Sequence, residues 1–83
     1  MKLNMKLEEF VNSFADQFEV TEKNEISAQT EFKMLDEWDS MIGLSVIGMV
    51  FNTYNVKISG EDINKAVTIV DLFELVQSKS EIE

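Results

Sequence analysis

The sequence predicts an all-α fold: a small four-helix bundle with a long loop between the first and second helices and a short third helix. Apolar residues recur at steps of three and four, not in alternation, which is the signature of helices that bury one face. There is no proline, and the three glycines, Gly43, Gly48 and Gly60, leave the periodic segments largely uninterrupted. At 83 residues the chain is long enough for one domain, residues 1–83, in which amphipathic helices must bury their stripes against one another.

The first helix is predicted from Leu3 to Glu19. Leu3, Leu7, Phe10, Val11, Phe14 and Phe18 form its apolar stripe, and Lys6, Glu9, Asp16 and Gln17 fall toward water. A polar connection follows from Val20 to Asp39. Connections of that length in small domains usually pack or function, and Phe32, Leu35 and Trp38 give this one the means to pack across helix ends.

The second helix is predicted from Ser40 to Tyr54. Asp39 or Ser40 can cap it, because either side chain accepts from an exposed first-turn amide. Leu44, Ile47, Val50 or Phe51, and Tyr54 make the expected stripe, and Asn55 suits the left-handed residue that ends a helix. Val56, Lys57 and Ile58 form a short extended step. Gly60, Glu61 and Asp62 open the short third helix, which holds Ile63 and Ala66, with two carboxylates at the positive end of its dipole. Thr68 and Asp71 have capping-box spacing at the start of the last helix, whose stripe is Ile69, Leu72, Phe73 and Val76. The polar tail from Ser78 to Glu83 is expected to fray.

Composition narrows the function classes. The chain has neither cysteine nor histidine, so it lacks a thiolate, a disulfide, the commonest general base and the commonest metal ligand. Its formal charge is −9, and every cation is a lysine. Nucleic acid needs a basic face, so DNA and RNA are not expected partners. Acidity steers a protein toward basic patches on other proteins, and it also serves solubility alone. No segment reads as a signal peptide. The longest apolar stretch, around Ser45 to Phe51, is far short of the roughly 20 residues of a membrane helix. The expectation is a cytoplasmic monomer without a membrane span.

Asp39-Ser40-Met41 is the segment that carries chemistry. A serine at a helix N-terminus sits where outward amides and the dipole favour an anion, so a phosphate ester is well accommodated there. Taken alone, the same residues read as an ordinary helix cap. In wider context, Trp38-Asp39-Ser40-Met41, followed by a helix with Leu44 and Ile47, closely resembles the acyl carrier protein family. Tyr54-Asn55-Val56-Lys57-Ile58 is similar to the step after that family's second helix. Asp62-Ile63 with Ala66, and Thr68-Ile69-Val70-Asp71-Leu72, are similar to its third helix and the opening of its fourth. The resemblance covers roughly Leu7 to Val76, and the order and spacing of its pieces are specific.

The resemblance implies an acyl-carrier-protein-like bundle that is not itself an enzyme. A phosphopantetheinyl transferase would attach 4'-phosphopantetheine from coenzyme A to Ser40, and acyl groups would ride on the arm's thiol as thioesters. Asp39 matches the family's aspartate, associated with the transferase's metal and the serine geometry. Met41 matches the apolar position that partners contact. Acyl-loading and acyl-transfer enzymes are the implied partners. Fatty-acyl, polyketide, aminoacyl and D-alanyl carriers share the plan, so the cargo stays open.

The chain departs from the pattern at two places. Glu37 stands where many members have glycine, with the bulky Trp38 beside it. The second helix has no acidic residue from Ser40 to Tyr54, whereas fatty-acid-synthesis carriers bear several. Ile42, Ser45, Met49, Phe51 and Asn52 take those places. The expected partner surface is therefore apolar around Ile42, Ser45, Met49 and Phe51, with charge from Glu31, Asp36, Glu37 and Asp39 before the helix and Glu61 and Asp62 after it. Such a surface points to a dedicated pathway enzyme. The alternative for Phe51 is burial in a wide core. An unmodified helical adaptor, with Ser40 only a cap, is the alternative from another class. Asp36, Glu37 and Asp39 lack a calcium-loop pattern, so no metal site is expected.

Overall fold

The computed structural model of the chain describes residues 6–82. It is an all-helical bundle with four α-helices: α1 Leu7–Ala15, α2 Ser40–Tyr54, α3 Gly60–Lys65 and α4 Ile69–Ile82. No strand occurs among the described residues. α1 packs on α2 and α4, and α3 bridges α2 and α4.

The core is aromatic at the α1 end. Phe10, Phe14 and Phe32 are wholly buried, with Val46, Val50, Ile69, Leu72 and Val76. Phe14 sits at the centre of the cluster, its ring 5.2 Å from Phe32 edge-on, 5.9 Å from Phe18 and 6.3 Å from Trp38 in a near-parallel stack. Such pairs add about 0.5–1.5 kcal/mol each beyond the area they bury.

α1 ends earlier than predicted, at Ala15 instead of Glu19; the predicted start at Leu3 lies outside the described residues. The ladder first tightens, with Gln17 N–H donating to Phe14 O and Phe18 N–H to Ala15 O, both at 3.1 Å. The next amides, of Glu19, Val20 and Thr21, donate to the Glu37 carboxylate instead of to carbonyls one turn back. A side chain from another segment thus caps the turn that follows the helix, and Phe18 still reaches the core.

The long connection is more ordered than a loop, with 3₁₀ turns at Lys23–Glu25 and Phe32–Met34. Its carbonyls serve the helices. Thr30 O accepts from Ile69 N–H at 3.2 Å and Ala28 O from Val70 N–H at 2.9 Å, so two otherwise orphaned first-turn donors of α4 are met. Lys33 Nζ donates to Asn64 O at 2.7 Å, placing a cation at the negative end of α3.

The predicted caps of α2 and α4 are present, and α3 has one at Ser59 that the sequence reading did not identify. Asn55 is left-handed (φ 58°) and ends α2. Ser59 and Asp62 form a reciprocal capping box on α3. At α4, Thr68 Oγ1 accepts from Asp71 N–H at 3.2 Å, and the Asp71 carboxylate accepts from the Val67 and Thr68 amides. Those amides, Thr68 first, hold the Asp71 carboxyl below its usual range. The tail corrects another expectation: α4 runs through Ser78 to Ile82. Ser80 is buried, its hydroxyl donating to Gln77 O at 2.8 Å, and Lys79 lies 3.6 Å from Asp62 on α3, so the last turns are tied to the bundle.

Candidate functional site

The site is built at the N-terminus of α2. Asp39 is extended and its Oδ1 accepts from Ile42 N–H at 2.9 Å, so Asp39, not Ser40, is the cap. Ser40 is the first helical residue and is exposed. No hydrogen bond holds its hydroxyl among the described residues. The first-turn amides beside it have no carbonyl one turn back, and the helix dipole adds partial positive charge. A hydroxyl that is exposed and next to outward amides leaves room for an anionic substituent such as a phosphate ester.

Side chains tie down the three residues before Ser40. Asp39 grips α2. The Trp38 indole is half-buried among Phe14, Phe18 and Phe32, 5.0 Å from Phe32 edge-on. Glu37 reaches the other way. Its Oε2 accepts from Glu19 N–H at 2.7 Å, and its Oε1 from Thr21 N–H at 2.7 Å and the Thr21 hydroxyl at 2.8 Å. Val20 N–H adds 3.0 Å and 3.1 Å contacts to the two oxygens. These donors, the Thr21 amide foremost, hold the Glu37 carboxyl down at about 2 against an ordinary 4.5, despite some opposing desolvation.

Beside Ser40 opens a largely apolar cleft of about 550 Å³. Trp38 and Gly43 form one wall, Leu44 and Ile47 continue it along α2, and Ile63 and Asn64 face it from α3. Leu44, Ile47 and Phe51 follow Ser40 at helical spacing, so the hydroxyl stands at the head of an apolar strip.

The predicted surface residues do not form one face. Met41 is 73% exposed and Phe51 44% exposed, and Ser45 and Glu61 also face water. Met49 corrects the expectation: it is buried in the core at 9% exposure and cannot contact a partner. Ile42 is half-buried against that core. Asp62 is committed to the Ser59 cap and to Lys79. Burial pushes its carboxyl up, but the Ser59 amide and the Lys79 charge outweigh that and lower it.

The α2 stripe is also corrected. Its buried face is Gly43, Val46, Met49 and Val50, while Leu44, expected inside, is 67% exposed. The face is rotated by about one residue because α2 is apolar nearly all round, so periodicity alone does not select a side. Leu44 is the site residue that sequence reasoning missed, and its place four residues after Ser40 was the available signal. No group of three or more acidic side chains among the described residues is disposed to hold a metal ion, and Glu37 is consumed by backbone amides. No helix of the described residues is long and apolar enough to cross a membrane.

Comparison with protein-family models, with curated proteins and with solved structures finds no match to this chain.

Proposed function

We propose that the chain is a carrier protein, in which Ser40 bears a 4'-phosphopantetheine arm and the bundle presents that arm to partner enzymes. One observation supports this most: the Ser40 hydroxyl is exposed at the positive end of α2 with capping assigned to its neighbour. With Asp39 supplying the cap, the Ser40 hydroxyl is left accessible to a modifying enzyme.

The residues fit the group. Ser40 Oγ would carry the phosphodiester, and the outward first-turn amides favour its negative charge. Trp38, Leu44, Ile47 and Ile63 offer an apolar surface alongside. When bound, the arm supplies the thiol on which acyl groups ride as thioesters, a function this cysteine-free chain has no side chain to perform. The chain is then a covalent shuttle and not a catalyst. It works as a cytoplasmic monomer with a phosphopantetheinyl transferase and with acyl-loading and acyl-transfer enzymes. The cargo is an acyl chain of a specialised biosynthetic pathway, with an aminoacyl or D-alanyl group as the alternative within the class.

Partner contact falls on Met41 and Leu44, which expose apolar surface within a turn of Ser40, and on Phe51 further along α2, where Lys57 lies over the ring, with Asp39 and Glu61 at the flanks. An adaptor that uses this edge without modification is the reading from another class, and the same exposure favours it. Incubation with coenzyme A and a broad-specificity transferase separates the two. A mass gain of one phosphopantetheine in the parent protein, absent in Ser40→Ala, supports the carrier. No gain in the folded parent protein favours the adaptor.

A further inference from the structure

We propose that Glu37 is a positioning residue: by clamping the chain at Glu19, Val20 and Thr21, its carboxylate fixes the segment that presents Ser40. The proposal rests on the carrier reading for its enzymatic readout and on geometry for the rest.

The carboxylate spans two segments far apart in sequence and takes three consecutive backbone amides and one hydroxyl, at 2.7–3.1 Å. Charge-assisted bonds of this kind are roughly twice as strong as neutral ones. The clamp holds although Glu22, Glu25 and Asp36 line the same shallow depression, and Glu19 and Asp39 line the next one with Glu37. Those like charges oppose a carboxylate there, and the convergent donors offset them.

The consequence for Ser40 is mechanical. Trp38 fixes the chain on the core side, Asp39 on the helix side, and Glu37 on the side of the turn that follows α1. Without the third anchor, the stretch after Leu35 could pivot about the indole. The Ser40 hydroxyl would then sample orientations a modifying enzyme cannot use. Apparent affinity falls by the fraction of molecules in the competent orientation, while turnover of bound molecules is unchanged. The expected signature is therefore in KM and not in kcat.

The test compares the parent protein with Glu37→Gln, which keeps one acceptor oxygen, and Glu37→Ala, which keeps none. Two quantities are read: backbone ¹⁵N order parameters at Asp39 and Ser40, and transferase kinetics with coenzyme A. In Glu37→Ala the order parameters should fall from about 0.85 toward 0.6. KM for the protein should rise about fivefold or more at unchanged kcat. Glu37→Gln should lie between. Unchanged order parameters and KM in folded Glu37→Ala overturn the proposal, as does loss of the fold in both variants, which would make the role structural. If the parent protein is never modified, the carrier reading fails by itself. The order parameters then decide alone: a fall supports positioning, and no change overturns it.

Discussion

Asp39 and Ser40 are adjacent, both can cap a helix, and only one does. Replacing each by alanine therefore separates structure from function at the site. Asp39→Ala removes the 2.9 Å bond to Ile42 N–H and leaves a first-turn donor of α2 without its protein partner. Loss of an N-cap costs typically about 1 kcal/mol. For 83 residues the unfolding entropy is about 0.17 kcal/mol/K, so the melting temperature should fall by about 6 °C. Ser40→Ala removes an exposed hydroxyl with no bond among the described residues and should stay within about 0.5 kcal/mol of the parent. Thermal melts followed by far-UV circular dichroism, with emission of the single tryptophan as a second probe, read both variants. Equal losses from the two substitutions, or a loss from Ser40→Ala alone, would refute the division of labour and with it the case for a free hydroxyl.

Three further outcomes are expected. Phe14→Ala empties the centre of the aromatic cluster and should cost about 3–5 kcal/mol, comparable to the whole net stability of a domain this size, so its circular dichroism should be that of a largely unfolded chain. Glu37 makes the fold acid-sensitive in a defined window. Its carboxyl lies lower folded than unfolded, so its contribution is complete above about 4.5 and is lost as pH falls toward about 2. Glu37→Gln should lack that part of the acid titration of stability in urea melts run across pH, while the smaller contributions of Asp62 and Asp71 persist. Finally, Leu44→Asp and Phe51→Asp should lower acylation by the cognate loading enzyme about tenfold, with the melting temperature nearly unchanged for the 67% exposed Leu44 and lowered for Phe51, whose ring is more than half buried near the negative end of α2; unchanged rates in folded variants would remove this edge from partner contact.

Much of the fold was legible because its signals are local. Ser40 and Tyr54 bound α2 as predicted, Asn55 took the left-handed position, and the Thr68–Asp71 spacing formed its cap. Phe32 and Trp38 pack as their size and polar surroundings suggested. What the sequence hid is tertiary. Glu37 holds the turn after α1 through backbone amides, donors that nearly every residue carries, so nothing at Glu19 to Thr21 marks the turn. The tail beyond Ser78 looked too polar to stay helical, but the buried Ser80 and the Lys79–Asp62 pair hold it. The face of α2 was illegible for a different reason: from Met41 to Phe51 it has apolar residues on every side, and packing against Trp38 and α1 sets its rotation. That rotation left Leu44 exposed and put Met49 inside, the reverse of the expected arrangement.

Tandem mass spectrometry of the protein purified from the cells that make it is the most direct measurement. The expected spectrum has a phosphopantetheine, free or acylated, on the peptide that contains Ser40 and on no other. A native protein whose Ser40 peptide carries only the unmodified side chain, and which a competent transferase also leaves unchanged, would contradict the carrier assignment.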